Sequence, residues 1–209
     1  MIPVNVLAVR YLANASPSLL KGLGASKDTP SLGLITTDCD DATYIALDTA
    51  TKAADVKVCY GRSFYAGAQN ASTPNAGEVI GVIAGATPGA VKSGMEAVLS
   101  ALERIGFEEV NGVPYLAVTV SSVGSFLANE AKVSEGSAVA YLIAPPLESV
   151  FALDAALKAA DVKLCKLYAP PSETNFGGGL LSGTQSACEA ACAAFAQSVA
   201  DVARMPIEI

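Results

Sequence analysis

The sequence predicts a mixed α/β (α+β) fold made of two tandem copies of one domain, each a sheet with helices packed on it. Three observations carry this prediction. The first is an internal repeat: ALDTATKAADVKVC at 46–59 returns as ALDAALKAADVKLC at 152–165, 106 residues later, with only Thr49/Ala155, Thr51/Leu157 and Val58/Leu164 differing. That spacing is too long for a solenoid unit and reads as a duplicated domain. The second is that strand-like apolar runs alternate with helix-like stretches in both halves, which calls for a sheet layered with helices. The third is composition. Of the 209 residues 52% are apolar and only 16% are charged, so the chain buries a core and is short of charge for a lone surface.

The elements follow the same order in each half. An apolar run opens it (4–11; 115–120), then comes a stretch rich in Ala and Leu, then a second strand (31–36; Ala138–Ala144). The repeated helix comes next, with Leu47, Ala50 and Ala54 on one face at helical spacing. Asp55 ends it, and 56–60 alternates as a strand. A long loop of Gly, Pro, Ser and Asn follows (67–77; 170–179). A further strand leads to the last helix, which opens with Thr87 as N-cap and Pro88 at the first helical position. Val91, Met95, Val98 and Leu102 form its apolar stripe, and the same opening recurs after Gly183. The helices are expected on one side of each sheet. The boundary falls in 106–114, where Gly, Asn and Pro cluster, giving domains 1–108 and 109–209.

Thirteen Lys and Arg against 20 Asp and Glu leave a net charge of −7, which argues against a nucleic-acid partner or an anionic membrane surface. Histidine is absent, so Ser-His, Cys-His and zinc-His chemistry is excluded. No apolar run approaches the roughly 18–20 residues that span a bilayer. An odd five cysteines and no visible secretory signal predict free thiols and an intracellular protein. Cys188 and Cys192 share a helix face and read as packing residues, as do the repeat mates Cys59 and Cys165. Gly81, Gly85 and Gly89 form no nucleotide-binding pattern.

The segment A-x-D-x-A-x-K-A-A-x-V, present at 46–56 and 152–162, resembles the signature helix of bacterial microcompartment shell proteins. The stretches SLGLITTDCDDATYIALD (31–48), YGRSFYAGA (60–68), YLIAPPLE (141–148) and PPSETN (170–175) narrow the resemblance to the tandem-domain, L-type shell proteins of ethanolamine-utilisation compartments, from about residue 2 to the C-terminus. The resemblance implies two circularly permuted shell domains, no catalysis, and no resident cofactor. It implies a homotrimeric tile of pseudo-hexameric outline that packs beside other shell proteins in a cytoplasmic microcompartment. A central pore lined by two long loops would pass small molecules, with cobalamin or ethanolamine as ligands. The matching pore-loop residues are Gly67, Gly77, Ser172, Glu173, Asn175, Gly177 and Gly178, and the matching tile-edge lysines are Lys52 and Lys158. Read on composition alone, the loops are equally mobile surface loops, the lysines solvated helix residues, and 172–175 a turn.

Asp38, Asp40 and Asp41 precede the repeated helix, where carboxylates cap it and oppose its dipole, about 0.3–1 kcal/mol each. If Asp40 converges with Glu78 the pair makes a small anionic site suited to an ammonium. The resemblance places a small-molecule site there, with Phe107 as an aromatic wall and Thr174 as a polar contact. Two carboxylates without His or Cys are a weak metal site, and an acid–base enzyme built on them is the least favoured alternative.

Overall fold

The computed structural model describes residues 1–64, 77–170, 172 and 174–207, in two compact units. The N-terminal unit is Pro3–Gly106 with Gly124–Leu127, and the C-terminal unit is Met1–Ile2, Phe107–Val123 and Ala128–Ile209.

In the N-terminal unit the chain runs β1 (Val6–Leu12), α1 (Pro17–Gly22), β2 (Ser31–Thr37), α2 (Asp40–Ala53), β3 (Val56–Ser63), β4 (Val79–Gly85) and α3 (Pro88–Leu102). The strands form an antiparallel sheet in the order β1-β2-β4-β3. Ile35 and Ile83 point to the face packed by Leu47 and Ala50 of α2 and by Val91, Met95 and Val98 of α3. Small Ala residues on α2 let it lie close to the strands. Leu32, Val82 and Ala84 point to the opposite face, where Ala15 and Leu20 cover them. The expectation of helices on one side only is therefore corrected. The short α1 seals the second face, which explains why β4 is apolar throughout instead of alternating. Thr87 caps α3 as expected, its Oγ1 accepting from Ala90 N at 3.2 Å.

The second half of the chain repeats that order after one added strand, all of it in the C-terminal unit except the start of α4 up to Leu127: β5 (Glu108–Val110), β6 (Val113–Val120), α4 (Ser125–Ala131), β7 (Ala138–Ala144), α5 (Pro146–Ala159), β8 (Val162–Tyr168), β9 (Gly177–Gly183) and α6 (Gln185–Arg204). Its antiparallel sheet is ordered β5-β6-β7-β9-β8. Ala140, Leu142 and Leu181 meet Ala152 and Ala156 of α5 and Cys188, Cys192 and Phe195 of α6. The region read as a boundary is in part a hairpin: Asn111 (φ 50°) and Gly112 (φ 79°) turn β5 into β6, as an Asn-Gly pair between strands does. Cys59 and Cys165 lie where β3 and β8 slip register against β4 and β9, and both are half-buried; Cys59 packs against the cluster of Leu32, Val82 and Leu20.

Candidate functional site

The turn from β2 into α2 sets the acidic cluster. The helix begins at Cys39, which makes no side-chain cap, and Asp40 and Asp41 occupy its first turn, both buried. Asp38 does not cap the helix: its two carboxylate oxygens accept from Asn5 N at 2.8 Å and Asn5 Nδ2 at 2.6 Å, tying the approach to β1 to the end of β2. Asp40 Oδ1 accepts from Asp41 N at 2.9 Å. Burial pushes the Asp40 carboxyl above the usual carboxylate range, against the opposing pull of the Ser63 hydroxyl. Ser63 is itself 2.6 Å from the Tyr44 hydroxyl. Glu78, just before β4, is pinned by its backbone, donating to Thr37 O at 2.8 Å and accepting from Phe64 N at 3.0 Å. Its carboxyl is raised by burial and then by the charges of Asp40 and Asp38. Asp40 and Glu78 therefore feel one another within the N-terminal unit, and a cation would relieve both. Cys39 beside them is pushed up to about 12 by burial, so it is an inert thiol.

Phe107 and Thr174 belong to the C-terminal unit. The Phe107 ring stands edge-on to Phe176, centroids 5.6 Å apart. Phe176 O accepts from Ser172 N at 3.1 Å, and Ser172 Oγ accepts from Thr174 N at 3.3 Å. Phe176 thus brings Phe107, Ser172 and Thr174 into one neighbourhood. Sequence reasoning passed over it, and its signal was an aromatic inside a Gly-rich stretch.

Of the expected pore-loop residues, Gly67 and Glu173 lie outside the described residues. Gly77 has φ +60°, and a Cβ there would sit 2.1 Å from Thr37 O. Asn175 is also left-handed (φ 64°), while Gly177 and Gly178 open β9, paired with Ala144 and Ile143 of β7. They are strand residues where a loop was expected, because β9 needs close backbone contact on both sides.

The two matching lysines differ in setting. Lys52 Nζ is 3.3 Å from Asp48, whose side chain is 0% exposed; Lys158 Nζ is 2.5 Å from Asp154, whose side chain is 64% exposed. Asp48 also accepts from Gly124 N at 2.7 Å and Leu127 N at 2.8 Å, while Thr51 Oγ1 accepts from Ser125 N at 3.1 Å. The Phe126 ring lies 5.8 Å from that of Tyr44. Asp48 was visible in the repeat as an acid four residues before a lysine, but its role as an anchor for backbone amides was not. Among the described residues no group of three or more metal-ligating side chains converges, and no helix is long and apolar enough to cross a membrane.

Known proteins resemble this arrangement throughout. The BMC domain family matches residues 31–113. The bacterial microcompartment shell protein EutL of Clostridium perfringens is 55% identical, over 99% of this chain and 97% of its own. The crystal structure of the ethanolamine utilization protein EutL from Leptotrichia buccalis superposes with a TM-score of 0.95 at 52% identity, over 100% of this chain and 98% of that one. The trimeric microcompartment shell protein PduB shares the fold at a TM-score of 0.80 and 18% identity, over 96% of this chain and 89% of that one. On full-length relatives this similar, the chain belongs to the EutL family of bacterial microcompartment shell proteins, tandem-domain structural proteins and not enzymes.

Proposed function

We propose that three copies of this chain, each with domains 1–108 and 109–209, close into a pseudo-hexameric tile around a gated central pore. The tile lies in the shell of an ethanolamine-utilisation microcompartment in the cytoplasm, beside other shell proteins. The observation that carries this reading is the repetition of one element order, β-α-β-α-β-β-α, in both units, since two like domains per chain give a threefold ring six similar corners. The segments 67–77 and 170–176 line the pore, the second ending where β9 begins, and small metabolites or cobalamin cross it by size and polarity of the lining. Lys52 and Lys158 sit at the tile edge, each with a long apolar stem that can lie along a neighbour while the ammonium reaches its backbone. The test is electron microscopy of the concentrated protein with light scattering alongside. Wild type forms sheets of trimers. The Lys52→Ala/Lys158→Ala variant stays trimeric and loses the sheets; sheets unchanged in that variant remove the edge role.

The raised carboxyls of Asp40 and Glu78 favour a second function on the same tile, binding of a small ammonium such as ethanolamine, with ligand biasing the pore loops. The sign of the pH dependence follows. A carboxyl held above its unfolded value of about 4 keeps more protons in the folded state, so ionising it as pH rises through and above that range lowers stability. Asp40→Asn/Glu78→Gln is therefore expected to be more stable than wild type at pH 7, by about 1 kcal/mol at most since solvent screens the half-exposed Glu78, with the difference vanishing below about pH 4. Ethanolamine binding in calorimetry should strengthen as pH rises through that window and weaken at least about tenfold in the double variant; equal binding by both proteins retires these residues.

A further inference from the structure

The two halves of the chain share an element order but close it differently at one place. In the N-terminal unit a cavity of about 220 Å³ opens where the end of β1 and the start of β2 meet the first turns of α3. Leu32 and Val91 are its buried wall, 0% and 1% exposed, and the exposed Tyr11, Leu12 and Pro88 stand around them. The Ser31 hydroxyl already donates to Ala13 O at 2.8 Å, so that donor is spent within the wall. Lys92 is the one charged residue of the lining. It is exposed, and among the described residues it joins no ion pair.

The C-terminal unit shows the same place in a closed form. The helix caps align α6 with α3, since Thr184 accepts from Ala187 N as Thr87 accepts from Ala90 N. The registers align the strands, with Thr119 opposite Ala140 as Tyr11 is opposite Gly33. Thr119, Gln185, Cys188 and Glu189 therefore stand where the first copy has Tyr11, Pro88, Val91 and Lys92. There Gln185 Nε2 donates to Glu189 Oε1 at 2.9 Å, a bond across one helical turn that a proline and a lysine cannot make. Val120 is 8% exposed where Leu12 is 37% exposed. Val123, whose N donates to Ser137 O as Ala15 N donates to Pro30 O, adds bulk where the first copy has only Ala15. The second copy is covered and carries a carboxylate; the first is open and carries an ammonium.

We propose that this cavity binds a small aromatic monocarboxylate, its ring against Leu32 and Val91 and its carboxylate at the Lys92 ammonium. Size and charge both select that class. A cavity of about 150 Å³ already takes benzene, so this one has room for a ring and one carboxylate. The wall is apolar and the single cation stands on the exposed side, an arrangement that buries a ring and fixes one charged end. A dianion would carry its second charge in without a partner. The site lies at the start of β2, whereas Asp40 follows that strand's other end, and its ligand has the opposite charge to the ammonium considered above. It rests neither on the trimer nor on the acidic pair.

Saturation-transfer NMR on the full chain tests the assignment, with benzoate as probe and benzyl alcohol as its uncharged counterpart. Wild type should bind benzoate with a Kd below about 5 mM and benzyl alcohol at least about fivefold more weakly. Lys92→Gln keeps a polar side chain and removes the charge, so benzoate should weaken by at least about fivefold while benzyl alcohol is unchanged. Tyr11→Thr, which takes the residue of the closed copy, removes a wall and should weaken both. Both positions are exposed, so the circular dichroism and melting of the variants should match wild type. Asp40→Asn/Glu78→Gln should leave benzoate binding intact, which separates this site from the acidic pair. Absence of transfer to benzoate in wild type, equal benzoate affinity in Lys92→Gln, or loss of benzoate binding in Asp40→Asn/Glu78→Gln would each overturn the proposal.

Discussion

Asp48→Ala is expected to destabilise the N-terminal unit by about 3–5 kcal/mol, in a urea melt read by circular dichroism at fixed protein concentration. The residue is a carboxylate with no solvent exposure of its side chain, and it is tolerated there because three donors surround it: the amides of Gly124 and Leu127 and the ammonium of Lys52. Charge-assisted bonds of 2.7 and 2.8 Å are near the strong end of the range. Truncation leaves two amides without an acceptor, and the desolvation of each is then uncompensated. Asp48→Asn keeps one carbonyl oxygen and should fall between. Asp201→Ala supplies the contrast. It breaks an exposed i,i+3 pair with Arg204 and should cost less than about 1 kcal/mol. Equal losses for Asp48→Ala and Asp201→Ala would mean that the start of α4 is not held by this carboxylate.

The same residue shows where the sequence stops being legible. Period and punctuation were readable because they are local. The apolar stripe of α3, the Thr87 cap and the near-identical repeat each depend on residues within a few turns, and each appears in the structure. Asp48 and Asp154 sit in near-identical local sequence, yet one is sealed and the other open. Their difference comes from a segment some 76 residues away, at Gly124, and no window along the chain contains it. The misplaced features fail for related reasons. α1 has only six residues and one fully buried side chain, Leu20, too weak a pattern to announce a helix sealing the second face of a sheet. Asp38 looked like a cap by position, but Asn5, 33 residues away, offers it two donors. Of the candidate ligand residues, the pairing of Asp40 with Glu78 followed from chemistry, whereas the tie between Phe107 and Thr174 needed Phe176, which carries no chemistry of its own.

Gly178→Ala is the second substitution expected to have a large effect, at least about 3 kcal/mol, as the sum of backbone strain and overpacking. Gly178 has φ +156°, and an added Cβ would lie 1.9 Å from Leu142 O and 2.9 Å from Ile143 Cα, which are backbone atoms that cannot swing aside. β9 runs between β7 and β8, with Gly178 opposite Ile143 on one side and Tyr168 on the other, so the strand cannot relieve the clash by moving to an edge. Gly136→Ala separates the two contributions: its φ is +84°, but nothing lies within 4 Å of the added carbon, so only strain of about 1 kcal/mol remains. Thermal melts of the two variants should therefore differ by roughly 2 kcal/mol or more, with Gly178→Ala the lower; a difference near zero would refute the β7–β9 register at this position. For the pore loop proposed above the consequence is mechanical. A backbone locked between two strands at Gly178 cannot serve as a hinge, so any opening of the 170–176 segment must turn on residues before it, where Asn175 already holds the left-handed conformation at φ 64°.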